Sequence, residues 1–253
     1  MLEYDEVAQQ FEKNQKINFD LILQKLVKKW QAASNRPQIL LHSCCAPCST
    51  YTLEYLTQFA DVTVYYANSN IHPQAEYERR KYYQQKFITD FNEQAHQNVH
   101  FISAPYQPSK WVATMKDLEK EPEGGARCRV CYDYRLEQVA EKAQELGFDY
   151  FGSALTISPH KNSQVINELG FEVQHIYDVA YLPSDFKKRG GYRRSVDMCN
   201  EYDIYRQCYC GCLFAARQQD LDLKQISREA KAFMQDHAHE NFDKIAFHFT
   251  TVS

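Results

Sequence analysis

The chain has 253 residues, 44% of them hydrophobic and 25% charged, which suits a soluble globular protein of one large domain or a domain with an appendage. The formal net charge of −4 gives no global signal for nucleic acid, although a local basic patch could still bind it. No run of 18 apolar residues exists, which excludes a membrane-spanning helix. The first thirty residues lack the basic start, apolar stretch and small-residue cleavage site of an export signal, so the cytoplasm is the expected compartment.

Residues 6–33 read as helical, with Val7, Phe11, Ile17, Leu21, Leu23 and Leu26 set in a polar background. Pro37 breaks that pattern, and Gln38–His42 (QILLH) reads as a short buried strand. A cysteine-rich turn follows, then an expected helix over Ser49–Phe59, a strand over Val62–Ala67 and a long helix over Gln74–Phe91. Val99–Ser103 is a third strand. After a polar loop around Pro122, Gly124 and Gly125, a helix is expected over Tyr132–Leu146, with Gly147 as its cap. Asp149–Ser153 is a strand, and Pro159–Leu169 a helix capped by Gly170. A long polar helix is expected over Leu213–Asp236, and Phe242–Phe249 fits a strand or an apolar tail equally.

This alternation predicts an α/β fold: a Rossmann-like parallel sheet with flanking helices. The division expected is an N-terminal helical extension, 1–36, and a single α/β catalytic domain, 37–253, whose C-terminal part is cysteine-rich. Ligand sites in such folds lie beyond the carboxyl ends of the strands. The turn at Ser43–Ser49 directly follows a strand, which puts a metal site at that edge.

Nine cysteines stand in a chain without an export signal, where metal ligands or catalytic thiols are commoner than disulfides. They cluster. The first group is Cys44, Cys45 and Cys48, with Pro47 suited to the first turn of the next helix. Thiolates near a helix N-terminus are favoured by its dipole. The second is Cys128 and Cys131, a C-x-x-C expected just before a helix and flanked by Arg127 and Arg129; this spacing lets two sulfurs reach one metal. The third is Cys208, Cys210 and Cys212. Zinc and an iron–sulfur cluster each take four ligands and leave thiols over. Cys210 and Cys212 are either further ligands or a redox pair, whose disulfide would close a small, strained and labile ring. Cys199 and Cys208 have no patterned partner.

Five stretches carry a family likeness: LLHSCCAPCS (Leu40–Ser49), RCRVCYDYRL (Arg127–Leu136), SALTISPHKN (Ser153–Asn162), DFKKRGGY (Asp185–Tyr192) and YRQCYCGC (Tyr205–Cys212). By these the sequence resembles the QueH family of epoxyqueuosine reductases. The resemblance implies the last step of queuosine biosynthesis, in which the epoxide of epoxyqueuosine at the wobble position of tRNA is reduced to the alkene. It implies a 4Fe-4S iron–sulfur cluster, with an additional iron as a further option, and no cobalamin. Carried over by position, Cys44, Cys45, Cys128 and Cys131 hold the cluster, with Cys48 as an alternative ligand or a ligand of the additional iron. Cys210 and Cys212 form the redox-active pair, and a separate electron donor is implied.

The most basic stretch runs from Phe186 to Arg194. Read alone it is equally a solvated loop or a phosphate-binding surface. Ser158–Asn162 reads as the opening of a helix, either a plain N-cap or an anion site. With the resemblance, Lys187, Lys188, Arg189, Tyr192, Arg193, His160 and Lys161 are expected to contact the tRNA anticodon loop. Tyr65, Tyr66, Tyr132 and Tyr134 are candidates to line a base pocket, and His42, His72 and His160 to donate protons. Three other readings compete: a nucleotide-dependent tRNA-thiolating enzyme, disfavoured because cysteines replace a phosphate-cradling glycine loop after the first strand; a non-catalytic zinc-binding RNA-binding protein; and a general thiol–disulfide oxidoreductase.

Overall fold

Five short apolar runs pair into one parallel sheet. In the computed structural model, which describes residues 1–12 and 15–248, they are β1 (Gln38–His42), β2 (Asp61–Tyr66), β3 (His100–Ser103), β4 (Tyr150–Ser153) and β5 (Ala180–Tyr181). The helices are α1 (Tyr4–Ala8), α2 (Phe19–Ala32), α3 (Ala46–Leu56), α4 (Gln74–Ala95) and α5 (Pro108–Thr114). They continue with α6 (Ala126–Leu146), α7 (Ser163–Tyr177), α8 (Gly191–Glu201), α9 (Leu213–Gln218) and α10 (Leu223–Asp236). The strand order is β3-β2-β1-β4-β5, and every pairing is parallel. This is the expected α/β architecture. Winding runs outward from β1 to β3 on one side, then restarts at β4 on the other, which opens a crevice between the carboxyl ends of β1 and β4.

β1 is the central strand, and Ile39, Leu40 and Leu41 are all fully buried, as in a parallel strand covered on both faces. Phe19, Ile22, Leu23 and Leu26 of α2 belong to the same apolar core as the strands, and Trp30 Nε1 donates to the Tyr150 hydroxyl at 3.3 Å. α6 packs on α7, α3 on α8 and α10 on α4.

Several element boundaries differ from the sequence expectation, each for a local reason. The expected helix over 6–33 is two helices among the described residues, because Asn18 caps α2 by accepting the Leu21 N–H. α6 starts at Ala126 behind an extended Gly125, so Cys128 and Cys131 lie inside the first turns of a helix, not before it. α7 starts at Ser163, capped by the Asn162 side chain, which leaves His160 and Lys161 in the preceding turn. Gly170 is not a cap but mid-helix: a Cβ there would stand 2.2 Å from Tyr181 Cζ, so glycine permits α7 to approach β5. Gly147 is the left-handed cap of α6 as expected. The basic stretch runs into α8, which takes in Tyr192, Arg193 and Arg194. Asp222 caps α10 and divides the helix expected over Leu213–Asp236. Asp243–Ile245 is a single 3₁₀ turn and Ala246 bridges Phe101, while Phe249 lies outside the described residues.

Candidate functional site

The turn after β1 is built from buried polar groups. The Ser49 hydroxyl donates to Ser43 Oγ at 2.7 Å, Gln84 Oε1 lies 3.1 Å from Ser43 Oγ, and Asn68 Nδ2 donates to the Ser43 carbonyl at 2.8 Å. Cys45 is the extended N-cap of α3 and Pro47 sits in its first turn, while the Cys48 N–H returns to the Cys45 carbonyl at 3.1 Å. This geometry folds the three sulfurs onto one another. Cys44 and Cys45 are 3.5 Å apart, Cys44 and Cys48 3.4 Å, and Cys45 and Cys48 3.3 Å; all three are buried.

Contacts with the Cys45 and Cys48 thiols hold Cys44 well below the ordinary thiol range. Contact with Cys44 pushes Cys45 up to about 12, and contacts with Cys44 and Cys45 push Cys48 well above its usual value. Of the three, Cys44 is the thiol most favoured to ionise. Three sulfurs around one ion at about 2.3 Å would lie about 3.8 Å apart, so small rotations seat a single soft metal among them. A cubane takes one cysteine per iron and needs wider spacing. The thiol donor set fits iron or zinc.

A cavity of about 300 Å³ opens beside the triad. Cys44, Cys48, Cys128, Cys131, Cys208, Cys210 and Cys212 all line it, so the three sequence clusters do converge. Cys131 and Cys212 share an apolar cluster with Trp111, Met115 and Phe214, which joins the C-x-x-C helix to the C-x-C segment. Cys45 is buried behind the wall, and Cys199 is buried in the main core. The Gly124 N–H donates to Cys128 Sγ at 3.2 Å. Arg135 is buried and donates to the Cys131 carbonyl at 3.1 Å.

The Cys212 thiol beside it, and then the Lys161 ammonium, lower Cys210 to about 6; Cys212 is raised by the same partner. Lys161 and His160 line the cavity with Tyr132 and Tyr192. Tyr65 and Tyr66 are buried and Tyr134 is outside the lining. His42 is sealed in the sheet with Nδ1 3.0 Å from Ser153 Oγ; burial, with Arg135 nearby, lowers it to about 3, so the imidazole is uncharged at neutral pH. Burial also lowers His72.

The basic stretch splits. Lys187 donates to the Thr156 carbonyl and pairs with Asp185, and Arg189 pairs with Asp20. Lys188, Tyr192 and Arg193 are exposed. Lys187, Lys188, His160 and Lys161, with Lys16, line a second groove of about 600 Å³ that shares residues with the cavity.

Residues the local pattern could not find hold the C-x-C segment in place. Buried Glu76 accepts from Arg79 Nε at 2.9 Å, from Arg80 Nε at 2.7 Å and from the Tyr205 hydroxyl at 3.2 Å. Arg80 Nη2 reaches the Tyr209 carbonyl at 3.3 Å, and the His72 N–H donates to the Gly211 carbonyl at 2.8 Å. Gln207 and Arg135 lay inside two of the resemblance stretches, with no local signal of their own.

A doubly wound α/β protein with a cysteine-lined cavity at its strand crevice carries the donor set of a metal site. The family model for "Epoxyqueuosine reductase QueH" matches residues 39–218. Relatives bearing that name include one from Streptococcus pyogenes serotype M1, 59% identical over 250 residues and 98% of both chains. Another, from Staphylococcus aureus, is 60% identical over 89% of this chain and 95% of its own. The relative from Thermotoga maritima is 32% identical over 76% of this chain and 96% of its own. The chain belongs to the QueH family of epoxyqueuosine reductases.

Proposed function

We propose that this chain reduces the epoxide of epoxyqueuosine, at the wobble position of tRNA, to the alkene of queuosine. The observation that carries the reading is the meeting of three cysteine groups around one cavity; family membership supplies the substrate. Deoxygenation consumes two electrons and two protons and releases water. A dithiol closing to a disulfide yields two electrons and two protons, so Cys210 and Cys212 balance the reaction. Lys161 favours the Cys210 thiolate, which keeps the pair poised, and a separate electron donor reopens the disulfide.

Cys44 and Cys45, once rotated apart from their 3.5 Å spacing, would hold a 4Fe-4S cluster with Cys128 and Cys131, which leaves Cys48 for an additional iron. When bound, such a centre supplies single electrons and a Lewis acid for oxygen. The reading needs no cobalamin. The second groove, with Lys16, Lys188 and His160, suits the phosphates of an anticodon loop. The wobble base would leave its stack to enter the cavity, as bases under chemistry do, with Tyr192 at hand to stack on it. A tRNA substrate is met in the cytoplasm.

The test is anaerobic reconstitution with iron and sulfide, metal and sulfide analysis, and incubation with epoxyqueuosine-containing tRNA and a reductant. Loss of one oxygen from the modified nucleoside by mass spectrometry is expected. Zinc alone retained after reconstitution, with no conversion, refutes the reading and favours a structural RNA-binding role.

A further inference from the structure

Gln207 stands between the C-x-C segment and the triad. Its Nε2 donates to Cys45 Sγ at 2.9 Å, across 162 positions of sequence. Its Oε1 is buried without a hydrogen-bond partner, although the residue lines the cavity. A buried carbonyl left unpaired costs about 1–3 kcal/mol, and such a cost is expected where the other end of the side chain has a function. The backbone on either side is fixed through Tyr205 to Glu76 and through Tyr209 to Arg80, so the amide is held against the sulfur.

An amide N–H is a weak partner for a thiol and a strong one for a thiolate. A metal-bound cysteine sulfur carries thiolate charge, so the bond is strongest when Cys45 is a ligand. Hydrogen bonds to ligand sulfurs also help set iron–sulfur potentials. Reduction adds negative charge, part of which falls on the sulfurs, so a donor stabilises the reduced form more than the oxidised one.

We propose that Gln207 is a positioning residue whose amide N–H, held against Cys45 Sγ, raises the reduction potential of the centre that Cys45 serves. The proposal rests on the reading of Cys45 as an iron–sulfur ligand.

The experiment compares wild type with Gln207→Met, similar in length but without the donor, after anaerobic reconstitution with iron and sulfide. Iron and sulfide are quantified, and the midpoint potential is found by dithionite titration followed by EPR. The expected result is wild-type iron and sulfide with the equilibrium constant for reduction lowered about tenfold, which is about 59 mV for a one-electron couple. Full loading with an unshifted potential overturns the role of Gln207 and leaves the function above untouched. Wild type that takes up neither iron nor sulfide removes the centre and both readings together. Should Gln207→Met fail to load, wild type labelled with amide-¹⁵N glutamine decides: a hyperfine coupling from that nitrogen to the reduced centre supports the proposal, and its absence overturns it.

Discussion

Glu76→Gln removes a buried charge while keeping its shape. The Glu76 side chain is 0% exposed, and its partners Arg80 and Arg79 are 1% and 10% exposed, so the change strands two guanidinium groups away from water. Breaking a buried pair from one side costs about 3–5 kcal/mol. For a chain of this size, about 2–4 °C per kcal/mol makes that a fall in Tm of about 6–20 °C. Glu54→Gln is the control. Its partner Arg194 is 37% exposed and keeps a second pair with Glu201, so the loss should stay within about 1 kcal/mol. Urea denaturation of both variants and wild type under reducing conditions gives the comparison. Because Glu76 and Arg80 hold Tyr205 and Tyr209, reductase activity should also fall in Glu76→Gln at temperatures where it stays folded. A Glu76→Gln loss no larger than that of Glu54→Gln would refute the account of the network as a buried clamp.

Zinc added to the reduced, metal-free protein at neutral pH should release protons, chiefly from Cys45 and Cys48, since ligating thiols must ionise; an indicator dye in weak buffer reads this, and no release would mean the triad is already ionised. Alkylation of Cys210 by iodoacetamide should rise as pH increases through about 6, because the thiolate dominates above that value and is lost below it. Lys161→Met should move this midpoint upward and Lys161→Arg restore it, as peptide mass mapping would show. Lys188→Ala and Arg193→Ala should each weaken tRNA binding and reduce its salt slope by about one. Arg189→Ala, whose charge is spent on Asp20, should leave that slope nearly unchanged.

Local chemistry made the elements legible where it was unambiguous. The run QILLH became β1 at the residues expected, and Gly147 ended α6 in the left-handed conformation that glycine tolerates. It misled where one residue type serves two ends. Gly170 reads as a helix stop, yet the Tyr181 ring from β5 occupies the space a side chain would need. The stretch from Leu213 to Asp236 reads as one polar helix, yet Asp222 accepts two backbone N–H groups and starts a new one. The basic run around Lys187 reads as a single charged surface, and ion pairs to Asp185, Asp20 and Glu54 neutralise Lys187, Arg189 and Arg194, three of its five cations.

The sequence by itself determined the alternation of strands and helices, the placing of a cysteine turn after the first strand, and the family, since these rest on neighbours in the chain. Tertiary structure alone decided that cysteines about eighty residues apart share one cavity, that Cys45 meets Gln207 at its wall, and that Glu76 anchors the C-x-C segment through Arg80. Those contacts join residues about eighty or more positions apart, and no local propensity encodes them. They arise because the sheet reverses its winding between β1 and β4, which brings the ends of distant connections to one crevice.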